Sequence, residues 1–347
     1  MAGLLFRLLL CSVTASPATS LTDDAFRYLD NGVVRLGVDL ARGGSIGFFG
    51  PSGSSDDSNN IINCYDMGRE VQLSFYAGPS FYNPDGKCDQ LFMDEQWPWN
   101  PIGAGDVEGN HGAISTADVN DTAAHIVTTP LQWACDDVPC ECEFEQVISL
   151  GGPADTGARV DATLHNHRTD DTGGDPVMSQ ELPAVYANGP YYRLLSSAGG
   201  AVVEYDAGWN ESAGASPWVP GLFTADEHWA ALVNEAGFGV GVVNLDTTDF
   251  LGGFSGAKGA GGPSDAPTGY IAPLRSLALP ANATFRYTFY LVLGDVETIR
   301  AYAQQVAQQQ QQQQQQQDQN QHSNRDEGPV EKMNVPLPLP HFKRDVP

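Results

Sequence analysis

Positive charge is scarce in this chain. Its 347 residues hold 17 Lys and Arg against 43 Asp and Glu, a formal net charge of −26. A body this acidic repels phosphate backbones, which argues against nucleic acid as a partner. Long apolar runs are missing as well. The run near the start, Leu8–Ala15, is too short to cross a bilayer, and no other stretch approaches the ~20 apolar residues of a spanning helix, so no membrane span is expected. Helical periodicity is nearly absent before Val296, which excludes a helical bundle as the main body. Metal-ligand patterns are thin too. The stretch Cys135-Asp136-Asp137-Val138-Pro139-Cys140-Glu141-Cys142 has no second CxxC-type pair or nearby His, and reads as a clipped loop rather than a zinc site. The glycines of Gly237-Phe238-Gly239-Val240-Gly241 precede no helix and so make no phosphate loop. Neither a metal nor a cofactor is expected.

What is present divides the chain into three parts. Residues 1–20 read as a secretory signal peptide: Arg7, a short apolar run, then small residues, with cleavage after Ala15 or Ser20. Without Cys11, the cysteines Cys64, Cys88, Cys135, Cys140 and Cys142 remain, and an odd number in a secreted chain implies two disulfides and one spare thiol. The acceptor triplets Asn120-Asp121-Thr122, Asn210-Glu211-Ser212 and Asn282-Ala283-Thr284 fit a secreted, extracellular glycoprotein. Residues 21–300 show short β-rich runs separated by Gly, Pro, Asn and Asp, with 38 glycines and 23 prolines in the chain, and so predict an all-β antiparallel sandwich or barrel. Residues 301–347 form a low-complexity tail. Gln308–Gln317 is unbroken polyglutamine, and Val335-Pro336-Leu337-Pro338-Leu339-Pro340 favours extended polyproline. Such a tail buries no core and is expected to be disordered, or a frayed extension of the helix that starts at Val296.

The chemistry-bearing residues concentrate in a few stretches. In Asp66-Met67-Gly68-Arg69-Glu70-Val71-Gln72-Leu73-Ser74-Phe75-Tyr76, strand alternation sends Val71, Leu73 and Phe75 one way and Glu70, Gln72, Ser74 and Tyr76 the other. The polar row is either a half-solvated strand face or a row suited to sugar hydroxyls, with Arg69 beside it. The segment Gln96-Trp97-Pro98-Trp99-Asn100-Pro101, followed by Asp106, sets two indoles among carboxylates. Trp97 and Trp99 either stack on pyranose rings or plug the end of a sandwich, and Asn100 belongs with them. His165 and His167 share one face of a strand, as a polar sheet face more than a metal pair. Gln180-Glu181 precedes an apolar strand, where partial burial would raise the Glu181 carboxyl toward general-acid use. Asp226–Asn244 reads as a β-hairpin turning at Asn234–Gly237, and Gly252-Gly253-Phe254 with Gly269-Tyr270 are expected along the same groove.

The order of these parts resembles the galactose-mutarotase-like supersandwich of aldose epimerases and many glycan hydrolases and lyases. Gly37–Ser45, with Gly43-Gly44 at a turn, is similar to its early strands. Leu164-His165-Asn166-His167 running into Asp175-Pro176-Val177 is similar to its central strand and turn, and Leu277–Phe289 to its closing strands. The resemblance spans about residues 25–295. It implies a supersandwich, galactose-mutarotase-like, and a poly- or oligosaccharide partner. It departs where epimerases carry a catalytic histidine, since the corresponding strand here holds Gln180-Glu181, and near Thr268–Pro273, where their late glutamate has no counterpart. The expectation is therefore a secreted glycoside hydrolase with Glu181 as general acid and Asp66 or Asp106 as the second carboxylate. Arg69, Glu70, Gln72, Tyr76, Trp97, Trp99, Asn100, Gln180, His165 and His167 would bind substrate. The alternatives are a polysaccharide lyase with Tyr76 or His165 as base, or a glycan-binding protein without turnover.

Overall fold

The computed structural model describes residues 26–53, 59–77, 82, 86–88, 99–169, 177–210 and 217–326, with side chains to 319. Residues 1–20, expected as a signal peptide, lie outside the described residues, as do Trp97, the Asp175-Pro176 stretch and the proline-rich end. Two nine-stranded antiparallel sheets carry the fold. The first runs in the order Phe26–Asp30, Val34–Asp39, Ser45–Pro51, Val71–Gln72, Ala184–Asn188, Thr268–Leu277, Asp249–Ser255, Gly221–Thr224, with Met178–Glu181 also paired to Thr268–Leu277. The second runs Ala201–Tyr205, Arg193–Ala198, Trp229–Val233, Phe238–Val243, Thr284–Asp295, Gly157–Asn166, Cys142–Leu150, Ala123–Thr129, Ala113–Val119. The hairpin expected at Asn234–Gly237 joins Trp229–Val233 to Phe238–Val243.

Alternation explains the layers. Ala158, Val160, Ala162 and Leu164 from the second sheet, and Val71, Val185, Ala187 and Ile271 from the first, meet in one apolar cluster between the sheets. Side chains on one face of each strand enter this core while their neighbours point away. The architecture is therefore an all-β antiparallel sandwich. The Gly43-Gly44 turn has φ of 60° and 71°, and a Cβ on Gly43 would stand 1.9 Å from the Gly103 carbonyl oxygen. Only glycine satisfies both the left-handed backbone and the close approach.

Part of the second sheet is covered on its outer face. The helix Val296–Asp326 begins where Asp295 Oδ1 accepts from the Thr298 N–H at 2.8 Å, an N-cap at the end of the last strand. Its first turns lay Ile299, Tyr302, Ala303 and Val306 over Trp229, Val243 and Leu195. The domain therefore reaches Val306, six residues beyond the boundary expected at 300, because those residues complete an apolar face. From Ala307 the chain forms a separate unit, helical to Asp326, with exposed glutamines as far as Gln319. The glutamine tract Gln308–Gln317 lies within this helix. Among the described residues no helix is long and apolar enough to cross a membrane.

Among the described residues the cysteines pair as Cys88–Cys135 and Cys140–Cys142, and the buried Cys64 lies outside both bridges. Two bridges and one cysteine outside them match the count expected for an oxidising compartment.

Removing residues 308–347 is expected to leave the domain folded, because the last side chain in its core is Val306. Thermal unfolding of the truncated protein should fall within a few degrees of full length. A large drop would show that the segment beyond 307 carries domain stability.

Candidate active site

Cross-strand register builds the site. On the first sheet Gln72 pairs with Ala184, Tyr186 with Tyr270, and Tyr270 with Gly253. These residues share one face of the pleat, and their neighbours Val71, Val185 and Ile271 share the other, in the intersheet core. Ala184, Tyr186, Tyr270 and Ala272 join Trp218 in a separate apolar cluster on the outer face. Gly253 is required there, since a Cβ would stand 3.0 Å from that of Trp218 and 2.9 Å from the Val219 nitrogen.

Glu181 sits at the edge of this cluster, paired with Leu274 on the neighbouring strand. Tyr270 donates its hydroxyl to Glu181 Oε1 at 2.5 Å, and Tyr76 donates to Oε2 at 3.4 Å. Gln180 fixes the Tyr76 backbone from both sides: its Oε1 accepts from the Tyr76 N–H at 2.9 Å and its Nε2 donates to the Tyr76 carbonyl at 2.7 Å. Trp218 stacks on Tyr270 with centroids 4.6 Å apart and planes 8° from parallel, and Trp209 meets Trp218 edge-on at 4.8 Å. The phenol that bonds Glu181 is thus held by an aromatic stack.

The electrostatics follow from burial. Hydrogen bonds to a charged carboxylate contribute about 1.5–3 kcal/mol, whereas burying the charge costs several kcal/mol, so burial wins. The Glu181 carboxyl is raised above its ordinary range by burial, against the lowering effect of the Tyr270 and Tyr76 hydrogen bonds. Burial, then the Glu181 charge, drives Tyr76, Tyr186 and Tyr270 well above the usual phenol value. All three phenols therefore stay protonated at neutral pH, and Tyr270 and Tyr76 donate to Glu181.

A loop forms the rim. Asp66 pairs with Arg69 at 3.1 Å, and Arg69 also donates to Asn63 Oδ1 and to the Ala266 carbonyl. The Arg69 guanidinium lies 4.7 Å from the centre of the half-exposed Tyr65 ring. Tyr186 lies within the field of both Glu181 and Asp66, with the Glu181 influence the greater. Arg42 holds the loop from behind, donating to the Cys64 carbonyl, the Asp66 carbonyl and Glu70 Oε1. Trp133 lies against the loop at Gly68, where a Cβ would come within 2.6 Å of the indole. Gln72 donates to the Gly68 carbonyl at 2.7 Å.

The residues singled out from the sequence fall into two sets. Glu181, Gln180, Tyr76, Gln72, Asp66 and Arg69 converge on this outer face. Val71, Leu73 and Phe75 are buried as the alternation requires, but Gln72, Ser74 and Tyr76 are also largely covered, by Gln180, Glu181 and their own neighbours. The others do not converge. Glu70 is fully buried with φ of 73°, and its carboxylate turns to Arg42 and Asp39 instead of along the polar row, because left-handed backbone breaks the alternation at that residue. Trp99 is fully enclosed in the intersheet core under the Arg168 guanidinium, so it offers no face to a sugar. Asn100 is buried and donates to the Phe75 carbonyl. Both Asp106 oxygens accept loop donors, from the Asn110 N–H, Asn110 Nδ2 and the Asp137 N–H, so Asp106 braces the cysteine loop and is no second carboxylate. His165 and His167 point outward from the second sheet. There His165 and His125 share the Glu145 carboxylate at 3.2 and 2.9 Å, holding it below its ordinary range, and His167 lies 3.5 Å from Glu143. The whole sandwich separates them from Glu181. Tyr186, Trp209, Trp218 and Trp133 were not recognised in the sequence. Ala184-Val185-Tyr186 carried an alternation that would have revealed Tyr186, whereas the tryptophans reach the site by tertiary packing alone.

No family model matches this chain, and no curated protein matches it. Solved structures do. The chain is similar to a galactose mutarotase related enzyme from Lactobacillus acidophilus, at 8% identity over 77% of this chain and 97% of that one, TM-score 0.43. It is similar to an aldose epimerase homologue from C. elegans at 10% identity, over 78% of this chain and 99% of that one, TM-score 0.43. A 4-alpha-glucanotransferase from Thermococcus litoralis is matched at 10% identity over 78% of this chain and 37% of that one, TM-score 0.39.

Two expectations follow. Tyr270→Phe keeps the Trp218 stack and removes the hydroxyl donor, so Glu181 should titrate at higher pH than in wild type. Carboxyl-carbon NMR reads this directly, and an unchanged or lower midpoint would contradict the assignment. The second concerns Glu70, whose carboxyl burial pushes up to about 8 from 4.5 despite Arg42. A group that binds its proton more tightly when folded contributes stability at low pH that is lost as pH rises. Wild-type stability should therefore fall between about 4.5 and 8, and Glu70→Gln should flatten that slope in denaturant titrations. A variant with the wild-type slope would locate the pH dependence elsewhere.

Proposed function

We propose that this chain is a secreted carbohydrate-active enzyme, a glycoside hydrolase acting on a poly- or oligosaccharide. The observation that carries the reading is Glu181: a carboxyl raised by burial, bonded by Tyr270 and Tyr76, on an aromatic outer face of the first sheet. A carboxyl raised in this way holds its proton to higher pH than an exposed one, as a general acid for a leaving glycosidic oxygen must. Asp66, at the rim beyond Tyr186, is the second carboxylate, held by Arg69. Hydrolysis needs the two carboxyl groups to flank the bond, about 5–5.5 Å apart for retention or about 6.5–9.5 Å for inversion. Tyr65 offers a half-exposed ring to the sugar, and Arg69 beside it orients hydroxyls. The two disulfides support a secreted protein.

The chemistry of a lyase fits the same residues less well. A lyase needs a base, and burial drives the Tyr76 phenol upward, away from the phenolate. His165 lies on the far sheet, and Arg69 already serves Asp66, Asn63 and the Ala266 carbonyl, leaving little to neutralise a uronate. Glycan binding without turnover is the second reading. It is favoured by one observation: the Glu181 shift comes from burial, and no neighbouring carboxylate contributes to it.

A glycan panel assayed for both reducing ends and unsaturated products tests the choice. On an active substrate, Glu181→Gln should lower turnover about 100- to 10,000-fold while binding survives. Unchanged turnover removes Glu181 from the mechanism. Binding by wild type without either product establishes the second reading.

A further inference from the structure

At the rim of the intersheet core, away from Glu181, a depression of about 380 Å³ opens between Tyr192 and Tyr205. We propose that it is a second binding site, for a neutral sugar unit of an oligosaccharide. Its volume lies at the lower end of the roughly 300–1,000 Å³ of small-molecule sites, which suits one or two sugar rings. The proposal stands independently of the role given to Glu181.

Three features make the depression a built site. First, its rings are fixed from behind. Tyr192 meets Phe254 edge-on at 6.3 Å and Tyr205 packs on Phe223 at 4.7 Å, and both tyrosines lean on the intersheet core while staying partly open. Second, Arg193 and Glu204 form a two-pronged pair, Nε to Oε1 at 2.9 Å and Nη2 to Oε2 at 2.7 Å. A guanidinium locked flat against a carboxylate presents donors and acceptors in one plane, the pattern that vicinal hydroxyls match. Third, the opposite wall is anchored. Gly259 donates its N–H to the Gly189 carbonyl at 2.9 Å, and the neighbouring Lys258 reaches Asp206 at 3.4 Å.

The charges select the ligand. Arg193 and Lys258 are balanced by Glu204 and Asp206, each cation already paired, so an ionic ligand gains no net attraction and would break a pair to bind. Within a chain of net charge −26, an acidic glycan is further disfavoured. An uncharged ring with apolar C–H faces and equatorial hydroxyls has what two tyrosines and a planar ion pair can recognise. The site is also distinct from the Glu181 cluster: Tyr192 and Tyr205 pack against the cluster between the sheets, whereas Tyr186, Tyr270 and Trp218 form the cluster on the outer face.

The test uses the full chain with ring-labelled tyrosine and neutral cello-, malto-, laminari- and manno-hexaoses as probes, read by NMR. At least one probe should shift the Tyr192 and Tyr205 signals. Tyr205→Ala should weaken that binding about two- to tenfold, the range that loss of one ring contact supplies. Glu204→Gln combined with Lys258→Ala changes only exposed side chains and should also weaken it, with thermal unfolding confirming both folds. Glu181→Gln should leave it unchanged. Shifts confined to Tyr76, Tyr186 and Tyr270 would overturn this proposal and leave the reading of Glu181 intact. Shifts confined to Tyr192 and Tyr205 would support it and count against the reading of Glu181. Silence of Tyr192 and Tyr205 toward every probe overturns it.

Discussion

Side-chain alternation across the middle of the first sheet is the constraint on which the site depends. Val71, Val185 and Ile271 must enter the intersheet core, and the pleat then obliges Gln72, Tyr186 and Tyr270 to face outward. An ordinary antiparallel sheet would meet water there. Here the outer face is covered by a second apolar layer, Trp218 stacked on Tyr270 and Trp209 against Trp218. Each aromatic contact adds only about 0.5–1.5 kcal/mol beyond area burial. Together they remove water from around Glu181, and that desolvation raises its carboxyl.

The rim depends on a different device. The loop from Asn63 to Glu70 has little regular structure of its own, yet it carries Asp66 and Arg69. Arg42 gathers it by bonding two of its carbonyls and the Glu70 carboxylate. The Glu70 N–H bonds the Asn63 carbonyl, and its own carbonyl accepts from Tyr186, so the loop closes directly onto the site strand. That closure requires left-handed backbone at a residue with a side chain, which costs of order 1–3 kcal/mol. The buried Arg42 contacts offset the strain, and the elevated Glu70 carboxyl is the accompanying electrostatic cost.

Where sequence reasoning failed, it failed for a common reason. Polar residues clustered with aromatics read equally well as a binding face or as internal bracing, and only tertiary partners separate the two. Asp106 and Asn100 have every sign of a ligand site in sequence, but their hydrogen bonds go to loop donors and a strand carbonyl. Trp99 belongs to the core, not to a stacking platform. His165 and His167 share a strand face as expected, but that strand belongs to the second sheet.

The sequence by itself determined the all-β class, the alternation at Val71–Phe75, the hairpin at Asn234–Gly237, the helix beginning at Val296 and the cysteine count, because each rests on local periodicity, turn chemistry or arithmetic. It also marked Glu181, since a carboxylate entering an apolar strand is a local pattern. Tertiary structure alone decided the rest. It chose which sheet each polar strand joined, paired Cys88 with Cys135 across 47 residues, and brought Tyr76 and Tyr270 to opposite oxygens of Glu181 from segments 105 and 89 residues away. Local pattern carries no information about such distances: strand pairing is set by the summed burial of whole faces, and no single residue in the chain records that sum.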